Sequence, residues 1–272
     1  MLRALRNWQE RTPPYPYGRR PALVLLNGLA EQAESWFPNH AYWRRRFDVH
    51  MPNLLAYDGA ALHDRIAADL PISVDYLVEQ LRHYLYQFVQ TPPYHVVASS
   101  LGGKVAVAYA VRYPADVDRL VLLCPSGLGD DEQLPVVEGV RRSDMQSVVR
   151  SVFADAGCLD PGLVRYYRER FTNRRWRLGL FKTIRGTMDY CVRDQLPLVR
   201  QPTLLVSGRE DRIVDPDHAA AAARELPHGE FVLLPECGHA PQLEKPGLVN
   251  SLVIQFLTQA RKDGPRPAAL VS

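Results

Sequence analysis

The stretch VVASSLGGK, Val96 to Lys104, sets two adjacent serines between a short apolar run and two glycines. A serine hydroxyl becomes a useful nucleophile when a base takes its proton and a carboxylate holds that base in the right tautomer. A strand that runs into a helix through a single corner residue can present such a hydroxyl. The sharp turn then needs small residues two positions before and after it, the pattern G-x-S-x-G. Register selects Ser100, whose corresponding neighbours are Ala98 and Gly102, over Ser99, which would place Val97 and Leu101 there. Small residues also serve plain strand-on-helix packing, so the distant partners must decide.

A base is offered by LPECGHAPQLEKP, where His239 follows the apolar run EFVLLPE in a loop that leads into the last helical pattern. An acid is offered by PTLLVSGREDRIVDPD, where Asp211 falls three residues after Gly208. Asp215 and Asp217 flank Pro216 at a helix start, where N-capping accounts for them. The chain order is then serine, acid, histidine. Acyl transfer also needs two backbone N–H donors for the oxyanion. One would be Leu101, directly after the serine; the other would be Leu29, in the loop LLNGLAEQAESW.

These residues require a scaffold that brings strand ends together. Short apolar runs recur at 21–26, 47–52, 94–99, 119–124, 202–208 and 230–236, with helical patterns at 35–46, 74–90, 101–113, 216–226 and 246–261. Strands buried on both faces and alternating with helices indicate a doubly wound, mostly parallel α/β sheet. Ligands bind at the carboxyl ends of such strands. From Leu123 to Pro202 the strand rhythm stops, and LPVVEGVRRSDMQSVVRSVFADAG, PGLVRYYRERF and WRLGLFKTIRGTMDYCV carry apolar residues at helical spacing. The expected division is a lead-in over 1–20, a core over 21–128 and 200–261, a helical cap over 129–199, and a loose tail over 262–272. Between Asp130 and Val199, eleven arginines and one lysine face ten acids, a near-balance that favours a salt-linked, solvated surface over an anion-binding cap.

Four motifs in this order, LLNGLAEQAESW, ASSLGGKVAVAYAVRYP, LLVSGREDRIVDP and ECGHAPQLEKP, resemble the α/β-hydrolase superfamily over roughly residues 20 to 260. The resemblance implies an eight-stranded, mostly parallel sheet flanked by helices, with the helical cap inserted after the sixth family strand. It further implies a Ser-Asp-His triad and a substrate pocket between cap and core. Two features depart from the family: Asn27-Gly28 stands where His-Gly is usual, and the lead-in leaves little room for two initial antiparallel strands. Asn27 can hydrogen-bond within its own loop and suits tight turns.

A serine at the elbow argues for carboxylic ester hydrolysis through an acyl-enzyme, on small to medium apolar substrates. Carbon–carbon bond hydrolysis of ring-cleavage products is the nearest rival, because PSGLG before the insertion resembles those enzymes. Lactonase and thioesterase chemistry would use the same groups. A ligand-binding, receptor-like protein that keeps the triad is the alternative of another class. Gly28, Leu128, Leu134, Phe153, Met188, Ile213 and Val214 are candidates to line the pocket, although core packing would also explain them.

The formal charge of +3 on 272 residues, with bases and acids interleaved, gives no basic stripe, and no nucleic-acid partner is expected. Cys124, Cys158, Cys191 and Cys237 are far apart, which points to reduced thiols and to neither a metal site nor a cofactor. The first twenty residues are interrupted by charges and lack a signal-peptide core. No apolar run approaches the roughly 18 residues of a membrane span. The expectation is a cytoplasmic monomer or homodimer with a small-molecule ester or related acyl substrate and no membrane partner.

Overall fold

The computed structural model describes residues 20–259 apart from 58, 90–91, 130–149, 156 and 158–160. Six strands form one all-parallel sheet: β1 (Ala22–Leu26), β2 (Asp48–His50), β3 (Tyr94–Ser99), β4 (Val117–Leu123), β5 (Thr203–Gly208) and β6 (Gly229–Leu234). Their spatial order is β2-β1-β3-β4-β5-β6. The helices are α1 (Phe37–Trp43), α2 (Ala60–Ala67), α3 (Val74–Tyr84), α4 (Leu101–Arg112), α5 (Pro161–Thr172), α6 (Arg174–Thr187), α7 (Pro216–Glu225) and α8 (Pro246–Thr258).

The apolar strands sort by parity. Val24 and Leu26 of β1, Val96 and Ala98 of β3, and Leu120 and Leu122 of β4 face a core completed by α3 and α4. Leu23, Leu25, Val97, Val121 and Leu123 face a second core with Trp43 of α1 and Val249, Val253 and Phe256 of α8. Side chains alternate across a strand, so a run without polar residues is stable only when both faces are covered. Each fully buried leucine or valine contributes roughly 1.5–3 kcal/mol relative to exposure, and β1 alone supplies four.

Several boundaries differ from the sequence expectation. The expected eight strands are six among the described residues, and the lead-in where two more would lie falls in 1–19, outside them. The run at 47–52 yields only three residues of strand, Asp48–His50, at one edge of the sheet. Helix α3 ends at Tyr84 and continues as a π-turn over Leu85–Val89. Helix α2 was not expected, since Leu62 is its one buried residue and leaves a faint pattern.

Between β4 and β5 the described residues hold α5, α6 and a 3₁₀ segment, Arg193–Leu198, with no strand. Of the salt links expected there, the described residues show Arg193 with Glu225 at 2.7 Å. The five cations of α6 have no acid partner among the described residues. The 3.6-residue turn sets them on one helix that carries no acid of its own. The tail over 262–272 and most of the first insertion pattern, including Leu134, lie outside the described residues.

Candidate active site

Each candidate group leaves the carboxyl end of a different strand. Ser100 follows β3, Cys124 follows β4, Asp211 follows β5, His239 follows β6, and the Asn27-Gly28 turn follows β1. The parallel sheet therefore converges five loops on one edge.

Ser100 has φ of 49° and ψ of −118°, a left-handed conformation that costs a non-glycine residue about 1–3 kcal/mol. Its surroundings hold it there. The Ser100 N–H donates to the Leu123 carbonyl at 3.0 Å, and its own carbonyl accepts from Gly103 N at 2.8 Å and Ser126 N at 3.2 Å. The glycine demanded two residues later has a direct cause. A Cβ on Gly102 would stand 2.6 Å from the Leu26 carbonyl oxygen, because the first turn of α4 lies on the end of β1.

The structure brings the three sequence-predicted groups into one hydrogen-bonded line. Ser100 Oγ lies 2.9 Å from His239 Nε2, and His239 Nδ1 lies 2.9 Å from Asp211 Oδ2 and 3.1 Å from Oδ1. All three residues are buried. Asp211 Oδ1 also accepts from Ile213 N at 2.9 Å and Val214 N at 3.1 Å. Burial alone would raise the Asp211 carboxyl, but His239 and these two amides outweigh it and hold it below the ordinary carboxylate range. An ionised Asp211 accepts Nδ1–H and leaves Nε2 free to accept the serine proton. Ser99 behaves differently: its Oγ accepts from Gln242 Nε2 at 3.2 Å, and the residue is fully buried.

The His239 loop is fastened to residues 152–154 of the insertion. His239 N donates to the Val152 carbonyl at 2.7 Å. Glu244 accepts from Gly238 N at 2.9 Å and from Ala154 N at 2.8 Å. A Cβ on Gly238 would stand 2.6 Å from the Val152 oxygen, so the contact requires glycine.

Of the two expected oxyanion donors, Leu101 is the first residue of α4, where N–H groups have no partner within the helix. Leu29 sits half-buried in a turn closed by Glu31 N to Gly28 O at 3.3 Å. Asn27 Nδ2 donates to the Glu31 carbonyl at 2.8 Å, so the side chain that replaces histidine closes this loop internally. Glu31 itself is a site residue that sequence reasoning missed. Its Oε2 accepts from Gly28 N at 3.2 Å, Gln242 Nε2 reaches its Oε1 at 3.5 Å, and burial pushes its carboxyl up. An acid next to a helix start looks like an ordinary cap in sequence, and only the fold turns it inward.

The pocket candidates separate. Gly28 borders the serine, since a Cβ there would stand 3.0 Å from Ser100 Cβ. Phe153 and Ile213 are half-buried beside the His239 and Asp211 loops. Leu128 and Val214 are packed away. Met188 is corrected: it stands 52% exposed at the end of α6, where the helix turns it outward.

Cys124 was also not anticipated here. Its Sγ, a ring nitrogen of His239 and an oxygen of Asp211 lie within 4.8 Å of one another, a donor set a soft cation could use. Burial, and next the Asp211 charge, push the thiol well above its ordinary range, and His239 already shares its Nδ1 proton with Asp211. The group therefore favours a proton relay over a thiolate ligand set.

A model of the alpha/beta hydrolase fold family matches residues 21–246. Human monoacylglycerol lipase ABHD6 is 23% identical over 264 residues, covering 88% of this chain and 76% of its own. A pimeloyl-[acyl-carrier protein] methyl ester esterase from Nitrosospira multiformis is 28% identical over 259 residues, covering 88% and 95%. Among solved structures, the meta-cleavage product hydrolase CumD from Pseudomonas fluorescens IP01 superposes with a TM-score of 0.77 at 18% identity, covering 90% of this chain and 93% of its own. At that identity the likeness concerns the fold.

Proposed function

We propose that this chain, which belongs to the alpha/beta hydrolase family, hydrolyses carboxylic esters of small to medium apolar substrates through an acyl-enzyme on Ser100. The observation that carries this is the continuous line from Ser100 Oγ through His239 to Asp211, with both links at 2.9 Å. Relatives named as a lipase and a methyl ester esterase lend it support.

In this mechanism Ser100 Oγ attacks the ester carbonyl while His239 Nε2 takes its proton, and Asp211 stabilises the imidazolium that forms. The tetrahedral oxyanion is held by the Leu29 and Leu101 N–H groups. The carbon–alkoxy bond breaks as Nε2 returns the proton to the leaving alcohol. Water then attacks the acyl group with His239 again as base, which releases the acid and restores the serine.

We assign residues 129–199 as a cap over this edge, with Gly28, Phe153 and Ile213 bordering the substrate space. The Val152 to His239 hydrogen bond supports that placement. No helix among the described residues is long and apolar enough to cross a membrane. The cytoplasmic assignment rests on the unpaired thiols of Cys124, Cys191 and Cys237. The deciding experiment is turnover of p-nitrophenyl esters from acetate to octanoate, beside lactones and vinylogous diketones, with Ser100→Ala as control. Ester turnover that vanishes in the variant is the expected result. Turnover of a diketone alone would move the chain to carbon–carbon bond cleavage.

A further inference from the structure

Helix α6, RRWRLGLFKTIRGT, buries one side and, with the Met188 that follows it, sets two exposed apolar side chains among cations on the opposite side. Its inner side buries Trp176, Leu180, Thr183, Ile184 and Thr187 against the core. Its outer side runs Arg174, Leu178, Arg185 and Met188 along one stripe of a helix, with Phe181 between them half-buried and packed against the core. Leu178 is 45% exposed and Met188 is 52% exposed. Arg175 and Lys182 flank the stripe on one side and Arg177 on the other. A solvated helix carries polar residues on its outer side, so apolar side chains set among cations need another surface against them.

The charge says which surface. Arg174, Arg175, Arg177, Lys182 and Arg185 make no ion pair among the described residues, and α6 contains no acid. Arg112 with Asp75 and Arg193 with Glu225 show that an arginine on this surface pairs where an acid lies in reach. A neighbouring loop extends the patch. Gly186 packs against the Ile72 backbone, and Leu70, two residues earlier, is 50% exposed beside Arg65, which donates to the Pro71 carbonyl at 2.7 Å. A second copy of the chain meeting this face about a two-fold axis would set five cations against five, which electrostatics opposes.

We propose that the outer face of α6 docks on an anionic lipid bilayer. The cations meet the lipid headgroups while Leu178 and Met188 enter the boundary with the acyl chains. This departs from the sequence expectation of no membrane partner: the chain rests on the bilayer without crossing it. The attachment is independent of the chemistry at Ser100.

Co-sedimentation of the full chain with vesicles tests this. With phosphatidylcholine vesicles carrying about 30 mol% phosphatidylglycerol, the wild type sediments, and raising salt from about 0.05 M to about 0.5 M releases it. Pure phosphatidylcholine vesicles retain at least about tenfold less. The triple variant Arg174→Glu, Arg175→Glu and Arg185→Glu loses about a hundredfold or more in partitioning, and Leu178→Ser loses a few-fold at low salt, while circular dichroism and Tm stay at the wild-type values. Equal partitioning to neutral and anionic vesicles would overturn the proposal. So would full binding by the triple variant, duplex DNA retained while vesicles are not, or a concentration-dependent dimer that the triple variant abolishes.

Discussion

Lys104 Nζ lies 3.1 Å from the Thr187 carbonyl oxygen and 3.3 Å from that of Met188, which joins the helix that starts at Ser100 to the last turn of α6. The side chain is 2% exposed, and its ammonium answers carbonyls that a helix C-terminus leaves without partners. The cation also sits at the negative end of the α6 dipole. Lys104→Ala strips both carbonyls of their donor and opens a void, so it should destabilise the protein by about 2–4 kcal/mol. Urea unfolding at neutral pH measures this, and an unchanged midpoint and slope would show that the bridge contributes nothing.

Ser100 combines strain with the hydroxyl, and two substitutions separate them. Ser100→Ala should lower kcat/KM for a short-chain ester by at least about a thousandfold while Tm stays near the wild-type value. Ser100→Gly should be equally inactive yet more stable by about 1 kcal/mol, because glycine adopts φ of 49° without penalty. A Tm for the glycine variant below that of the alanine variant would mean that the corner is not strained.

Asp211→Asn should lower kcat by about ten-thousandfold with the fold intact, since the amide favours the wrong tautomer of His239. It should also change the acid response. The Asp211 carboxyl is held below its unfolded value, so its contribution to stability is fully present above about pH 4 and is lost as pH falls through the folded pKa. The stability gap between wild type and variant, measured by urea unfolding, should therefore narrow between about pH 4 and about pH 2. A gap that widens toward acid would reverse the assigned sign.

Burial pushes the thiols of Cys124 and Cys237 up, whereas Cys191 is exposed. The thiolate is the reactive form. Iodoacetamide on the native protein at neutral pH should thus label Cys191 ahead of Cys124 and Cys237, and peptide mass mapping over time reads the order. Labelling of Cys124 first, with loss of activity, would indicate that its loop opens in solution.

Much of this was legible because it is local. The parity of PALVLL and YHVVAS follows from burial on both faces, and the choice of Ser100 over Ser99 follows from the space available in one turn. His239 and Asp211 were found because each follows a recognisable strand. Glu31, Gln242 and Cys124 were not, because their roles exist only where loops separated by tens or hundreds of residues meet. The near-zero sum of charge over 130–199 has no geometry and so does not show that the five cations of α6 gather on a helix without acids. The shortness of β2 was not legible either: β2 and β6 both lie at sheet edges, and only β2 is cut to three residues.

The bond from His239 N to the Val152 carbonyl has a consequence for anyone recombining this protein with its relatives. Val152, Ala154 and the Glu244 carboxylate that grips Ala154 form a seam shared by the insertion and the sheet framework. A chimera cut at that seam severs the donor insertion from the loop that aligns the base. A transplant that carries residues 150–155 together with 236–244 keeps both sides of the seam from one parent and preserves the alignment.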